Sequence, residues 1–227
     1  MTSSPSGMDR WGLVTWLALC LALGLPAALL PIVDLNQPAS AWPDWVQPWV
    51  LHPQSGWHQH WMSWWTTAWL HGSPPHLWRN LGGLALIGAL GWIAQARPTA
   101  TMAWFLAWPL TQVGMLMRPE LTSYIGLSGV LHAGAAVLAL QQVVIPNASH
   151  SGRHQQNTWP GWILLTALVF KVFMENPWGA VLILSSASAI KVAPWAHFSG
   201  LMAGLACGGV FFMWDKCRPP NSSVSNR

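Results

Sequence analysis

Gly126-Leu127-Ser128-Gly129-Val130-Leu131-His132-Ala133 opens an apolar run that continues to Ile145. A hydroxyl between two glycines is out of place in a hydrocarbon-facing helix, about a turn inside it. Lipid offers Ser128 no hydrogen-bond partner, so the protein must supply one. The expected partner is His197, distant in sequence, and the two are expected to form a catalytic dyad.

Composition sets the environment. The chain has 227 residues, 52% hydrophobic and only 7% charged, whereas soluble domains carry roughly 25% charged residues. So few charges cannot solvate a water-exposed surface, and the expected class is an all-α polytopic membrane protein. The net charge of +4 carries no basic cluster or stripe, which argues against nucleic acid as a partner and leaves the lipid bilayer. Cys20, Cys207 and Cys217 are scattered and suit neither a disulfide framework nor a metal motif. The 19 Trp favour membrane interfaces, where one end of the ring is wet and the other dry.

Outward from Ser128, the apolar runs divide the chain into a single domain, 1–227, with six expected spans at about 13–33, 76–94, 101–117, 125–145, 159–174 and 193–214. The first is long enough to cross a core of about 30 Å at 1.5 Å per residue. A cleaved signal peptide is its rival, since Ala39-Ser40-Ala41 resembles a processing site, but the run exceeds the usual apolar region of such peptides. Residues 36–73 hold four prolines, eight Trp and no Lys or Arg. They read as a loop lying in the interface, with a short amphipathic helix near Trp57–Leu70. Residues 178–190 are apolar but too short to cross, and read as an interfacial or re-entrant cap.

With six spans the termini share a side. That side collects Arg10, Arg97, Arg153, Lys216, Arg218 and Arg227, while the other collects Lys191 and Arg118. The asymmetry makes both termini cytoplasmic. The expected location is a bacterial inner membrane, multi-pass, with the site opening to the extracytoplasmic side. Spans two, four and six then begin on that outer side, and each carries its unusual polar residues there: His76 and Asn80, Ser128, and His197. Isolated polar residues in spans usually serve as interhelical contacts worth about 0.6 kcal/mol each and have no reason to share a depth. A common depth favours a site.

Spacing adds chemistry. His76 and Asn80 are four apart, on one helical face. Gly200 and Gly204, with Gly208 beyond, form a small-residue stripe near the face of His197, and Gly129 and Ala133 form a matching one beside Ser128. Such stripes let helix backbones approach closely, which brings Ser128 Oγ within reach of an imidazole nitrogen, as nucleophilic catalysis requires. Plain helix packing around a satisfied histidine is the alternative for the glycines alone. The backbone N–H of Ser128 lies near a helix N-terminus, and with His76 and Asn80 supplies donors for an oxyanion. His132, one turn after Ser128, competes as the base or packs against His197 or a carbonyl. No third, acidic member is evident: Asp34 and Asp44 lie in the first loop, Glu120 between spans three and four, and Glu175 at the end of span five.

Gly126–Gly129 (GLSG), Ala196–Gly200 (AHFSG) and His76–Asn80 (HLWRN) resemble the signatures of rhomboid intramembrane serine proteases, in the order that family uses on spans two, four and six. The step from His71 to His76 resembles the rhomboid entry to span two. The resemblance covers about residues 64–214 and implies a six-helix rhomboid-like bundle with Ser128 as nucleophile, His197 as general base, His76 and Asn80 as oxyanion donors, and no metal or cofactor. His132 stands where many bacterial rhomboids carry Tyr. The compact chain and Lys171-Val172-Phe173-Met174-Glu175 look more like the rhombosortase branch. That branch implies substrates with a C-terminal Gly-Gly motif, an apolar anchoring helix and a basic tail, entering by a gate between spans two and five.

The expected function is therefore cleavage of a membrane-anchoring segment of substrate proteins. A catalytically inactive rhomboid-like protein that binds membrane helices is the main alternative. A metal or haem carrier is a second, prompted by nine His that show no ligand spacing. A small-molecule transporter is a third, but paired broken helices and repeat halves are not visible. Oligomeric state is not readable from the sequence.

Overall fold

The structure, a computed structural model, describes residues 7–34, 37, 41–145, 158–185 and 190–217. The expected processing site at Ala39-Ser40 and the polar stretch holding His150, Arg153 and His154 lie outside these residues, as do Arg218 and Arg227.

The chain is mostly helical. Among the described residues six long helices overlap the six apolar runs: α1 Gly7–Leu29, which starts and ends earlier than the expected 13–33, α3 Pro74–Ile93, α4 Pro98–Met115, α5 Ser128–Val144, α6 Trp159–Met174 and α7 Pro194–Cys217. A one-turn helix, α2 (Ser63–Thr66), lies in the Trp-rich loop. A two-stranded antiparallel sheet, β1 (Ile183–Ser185) with β2 (Ile190–Val192), occupies the stretch expected to cap the site. Among the described residues two helices, Arg10–Leu29 and Pro194–Cys217, are long and apolar enough to cross a membrane by length and composition; α5 and α6 are apolar but shorter. Large apolar side chains cover the outward faces: Leu21, Leu86, Phe170 and Val210 are all exposed.

Helix starts follow local chemistry. The Ser73 hydroxyl accepts from the His76 N–H and opens α3, whose first positions are Pro74 and Pro75; proline there gives up an amide that has no intrahelical partner anyway. Pro98 opens α4 in the same way. The tight α3–α4 turn places Gln95 at φ 48°. Buried Gln141 of α5 stitches that turn, donating to the Ala94 carbonyl and accepting from the Arg97 N–H at 3.1 and 3.0 Å.

At the centre, α5 and α7 lie closest together. A Cβ on Gly200 would overlap the carbonyl of Gly129, and one on Gly204 would sit 2.9 Å from Ala133 Cα. Both small stripes expected from the sequence therefore face each other. In α4, Trp104 fills the space left by Gly134 and donates to the Val130 carbonyl at 2.8 Å. Trp16 of α1 packs against it, tilted by 32° with centroids 4.5 Å apart. These indoles lock α1, α4 and α5 around one core.

The Trp-rich loop is a packed structure with its own core of Val46, Val50 and Leu70. It also braces the approach to Ser128. Leu51 and Tyr124 exchange backbone hydrogen bonds, Thr67 Oγ1 donates to the Tyr124 carbonyl at 2.6 Å, and the Gly126 N–H donates to the Thr67 carbonyl at 2.9 Å. The expected amphipathic helix near Trp57–Leu70 is reduced to α2 and a following 3-10 turn.

Candidate active site

Ser128 is the first residue of α5, not a residue one turn inside it. Gly126, two residues earlier, adopts φ 131°, a left-handed conformation that glycine takes without penalty. The bend ends the extended approach held by Tyr124 and starts the helix at the serine. At this position the Ser128 amide has no intrahelical acceptor. His197 is in the first turn of α7 and is 5% exposed. The close approach of α5 and α7 brings His197 Nε2 to 2.9 Å from Ser128 Oγ.

The other imidazole nitrogen, Nδ1, is 2.5 Å from Glu175 Oε2. A carboxylate accepts only, so Nδ1 carries the proton and Nε2 is left as acceptor for the serine hydroxyl. Glu175 follows α6, and its second oxygen accepts from Lys171 Nζ at 2.7 Å, one turn back on the same helix. Burial alone would raise the Glu175 carboxyl, but its contacts with His197 and then Lys171 outweigh that and hold it down at about 2. The expectation that no acidic member is available is thus corrected: the end of α6 reaches the level of Ser128.

His132 lies flat against His197, with ring centroids 4.1 Å apart and planes 13° from parallel. Its Nδ1 is 2.7 Å from the Ser128 carbonyl and its Nε2 is 3.0 Å from Lys171 Nζ. Nδ1–H donates to the carbonyl, and Nε2 accepts from the ammonium. Neither nitrogen faces Ser128 Oγ. Of the roles open to His132 in the sequence, the geometry matches packing and carbonyl donation.

His76, Asn80, Ser128 and His197 line one cavity of about 320 Å³, together with Leu182, next to β1, and Lys191 of β2. The His76 ring rests against Gly126; a Cβ there would stand 2.9 Å from its Cε1. Asn80 is buried and donates from Nδ2 to His71 Nε2 at 2.9 Å. His71 in turn donates from Nδ1 to the Trp69 carbonyl at 3.2 Å. Burial and then the neighbouring His76 hold His71 down at about 4, so it stays neutral and can accept from Asn80. The sequence pointed to His71 only through its spacing from His76; its contact with Asn80 is new. Arg118 clamps the cap, donating to the Pro177 and Gly179 carbonyls, both at 2.9 Å. Among the described residues no cluster of His, Cys, Asp or Glu is arranged to hold a metal ion.

No family model, curated protein or solved structure matches the chain. The functional reading therefore rests on the site.

Proposed function

We propose that the protein is an intramembrane serine endopeptidase of rhomboid type, closest to the rhombosortase branch. In this reading the six long helices span the bacterial inner membrane, and the cavity opens to the extracytoplasmic side. The observation that carries the proposal is the 2.9 Å contact between Ser128 Oγ and His197 Nε2, in a cavity that also presents Asn80 and His76 beside the start of α5. The exposed apolar faces support a lipid surround, since soluble monomers rarely present large contiguous apolar surface.

The reaction follows from these positions. As Ser128 Oγ bonds to the scissile carbonyl carbon, its proton passes to His197 Nε2. The carbonyl oxygen becomes an oxyanion, received by the Ser128 N–H, the Asn80 amide and the His76 imidazole. When the C–N bond breaks, His197 returns the proton to the leaving amine. Water then attacks the acyl-serine, giving one proton to His197; collapse frees the carboxylic product and the proton returns to Oγ.

A substrate helix must unwind to expose its carbonyl, and glycine lowers that cost because it destabilises helix by about 1 kcal/mol per residue. A Gly-Gly segment preceding an anchoring helix suits both this requirement and the small cavity. Fluorophosphonate labelling of the purified protein tests the nucleophile, and mass spectrometry of secreted protein C-termini tests the cleavage. Wild type is expected to label and to yield trimmed C-termini, and Ser128→Ala to do neither. Equal labelling and trimming by Ser128→Ala removes the proposal.

A further inference from the structure

The contacts around His197 close on themselves. Ser128 Oγ meets His197, His197 meets Glu175, Glu175 meets Lys171, Lys171 meets His132, and His132 returns to the Ser128 carbonyl. We propose that this five-residue ring is the orienting device of the site, with Glu175 the positioning residue for His197 and Lys171 the residue that holds Glu175 in place. The inference rests on the serine-protease reading and departs from a dyad oriented by packing alone.

Three features of the geometry argue for it. First, Glu175 divides its oxygens: Oε2 faces His197, and Oε1 faces Lys171. With one oxygen tethered, the other is aimed at Nδ1. A carboxylate there fixes the tautomer in which Nε2 accepts from the serine, and it faces the imidazolium that forms when the proton transfers. Secondly, Lys171 bonds Glu175 and His132 at 2.7 and 3.0 Å. It therefore sets the tautomer of His132 as well, obliging Nδ1 of that ring to donate to the Ser128 carbonyl. Thirdly, the stacked rings leave His197 no freedom to rotate out of plane on the His132 side. Glu175 and His132 thus each constrain a reacting group, and Lys171 constrains both of them.

The charges also balance. At rest the ring holds one ammonium and one carboxylate, with both imidazoles neutral. Proton transfer from Ser128 to His197 places the new positive charge against Glu175, and the matching negative charge passes to the substrate oxygen. Lys171 is half exposed, so water screens its repulsion of the imidazolium more than it screens the shorter, more buried Glu175 contact.

The test reads the maximal rate of fluorophosphonate labelling of Ser128, separately from the probe concentration that gives half that rate, with a melting curve for each variant. Glu175→Gln keeps the shape but can turn its amide to donate to Nδ1, which stabilises the wrong tautomer. The maximal rate is expected to fall about 10²- to 10⁴-fold, with half-saturation and melting near wild type. Glu175→Asp is expected to recover part of the rate, and formate to restore part of it in Glu175→Ala by occupying the vacated space. Lys171→Gln is expected to lose about tenfold or more, because both of its charge-assisted bonds, to Glu175 and to His132, lose their charge. An unchanged maximal rate in Glu175→Gln, beside an inert Ser128→Ala, refutes the positioning role while leaving the serine-protease reading intact. A loss with lowered melting and no rescue by aspartate or formate marks Glu175 as structural and also refutes it. Labelling of Ser128→Ala at the wild-type rate removes the underlying reading itself.

Discussion

Replacing Gly200 with alanine places a methyl group where α5 and α7 touch. Its Cβ would overlap the Gly129 carbonyl oxygen and stand 2.8 Å from the Gly129 carbonyl carbon. Carbon atoms in contact sit about 3.5–4.0 Å apart, so the helices must separate by at least about 0.7–1.2 Å. No flexible side chain can yield instead, because the obstructing atoms are backbone. Gly129 is next to Ser128, and His197 is one turn before Gly200, so most of the displacement falls on the Oγ–Nε2 contact. Lengthened from 2.9 Å by that amount, it passes out of hydrogen-bond range. A misplacement of about 1 Å between reacting groups lowers rates about 10²-fold, and forcing a methyl into a packed interface destabilises by about 1–3 kcal/mol. The assay is fluorophosphonate labelling of detergent-solubilised protein with a parallel thermal melt. Gly209→Ala is the control, since a Cβ there meets nothing within 4 Å, and helix propensity alone makes it neutral or slightly stabilising. Gly200→Ala labelling within twofold of wild type, at an unchanged melting temperature, refutes the claim that this contact sets the dyad.

His132→Phe keeps a flat ring against His197 but loses both polar contacts. Labelling is expected to fall about tenfold, as for one or two lost hydrogen bonds, whereas His197→Ala is expected to abolish it; equal losses would make His132 a candidate base. Low pH should destabilise the protein through His71. Unfolded, this imidazole titrates near 6.5; folded, its pKa is about 4. Its contribution is therefore fully present above pH 6.5 and is lost as the pH falls from 6.5 to 4, a loss of about 3 kcal/mol. Melting curves of wild type and His71→Gln between pH 7.5 and 4.5 should diverge accordingly, and parallel pH dependence in the two would contradict the assignment.

The helix plan was legible because hydrophobic run length and proline placement are local properties. The runs at 159–174 and 76–94 coincide with α6 and α3 almost to the residue. The pairing of α5 with α7 was legible too, since Gly129, Gly200 and Gly204 have no other evident use. Less visible was how far the Trp-rich loop packs. Its contacts through Leu51 and Thr67 to Tyr124 depend on tertiary pairing that no periodicity encodes. Glu175 is visible in the sequence but not its role, for a subtler reason. It lies at the far end of a run, where a charge looks like a boundary marker. Yet the alternation that levels His76, Ser128 and His197 also brings the C-terminal end of α6 to that level, and Lys171 one turn earlier was the cue that its charge is held. His71 carried only its spacing from His76, because its partnership with Asn80 depends on the fold of the preceding loop.

The Lys171–Glu175 pair has a bearing on biogenesis. The two charges are one helical turn apart on the same segment, so they cancel within α6 before any other helix is present. A lone carboxylate near the end of an apolar segment opposes its transfer into lipid; a carboxylate carried with its own counter-ion enters as a nearly neutral dipole. On the membrane reading, α6 can therefore be inserted independently and find α7 afterwards. The acidic group then reaches His197 already neutralised, and the assembled site never has to recruit a bare charge from water.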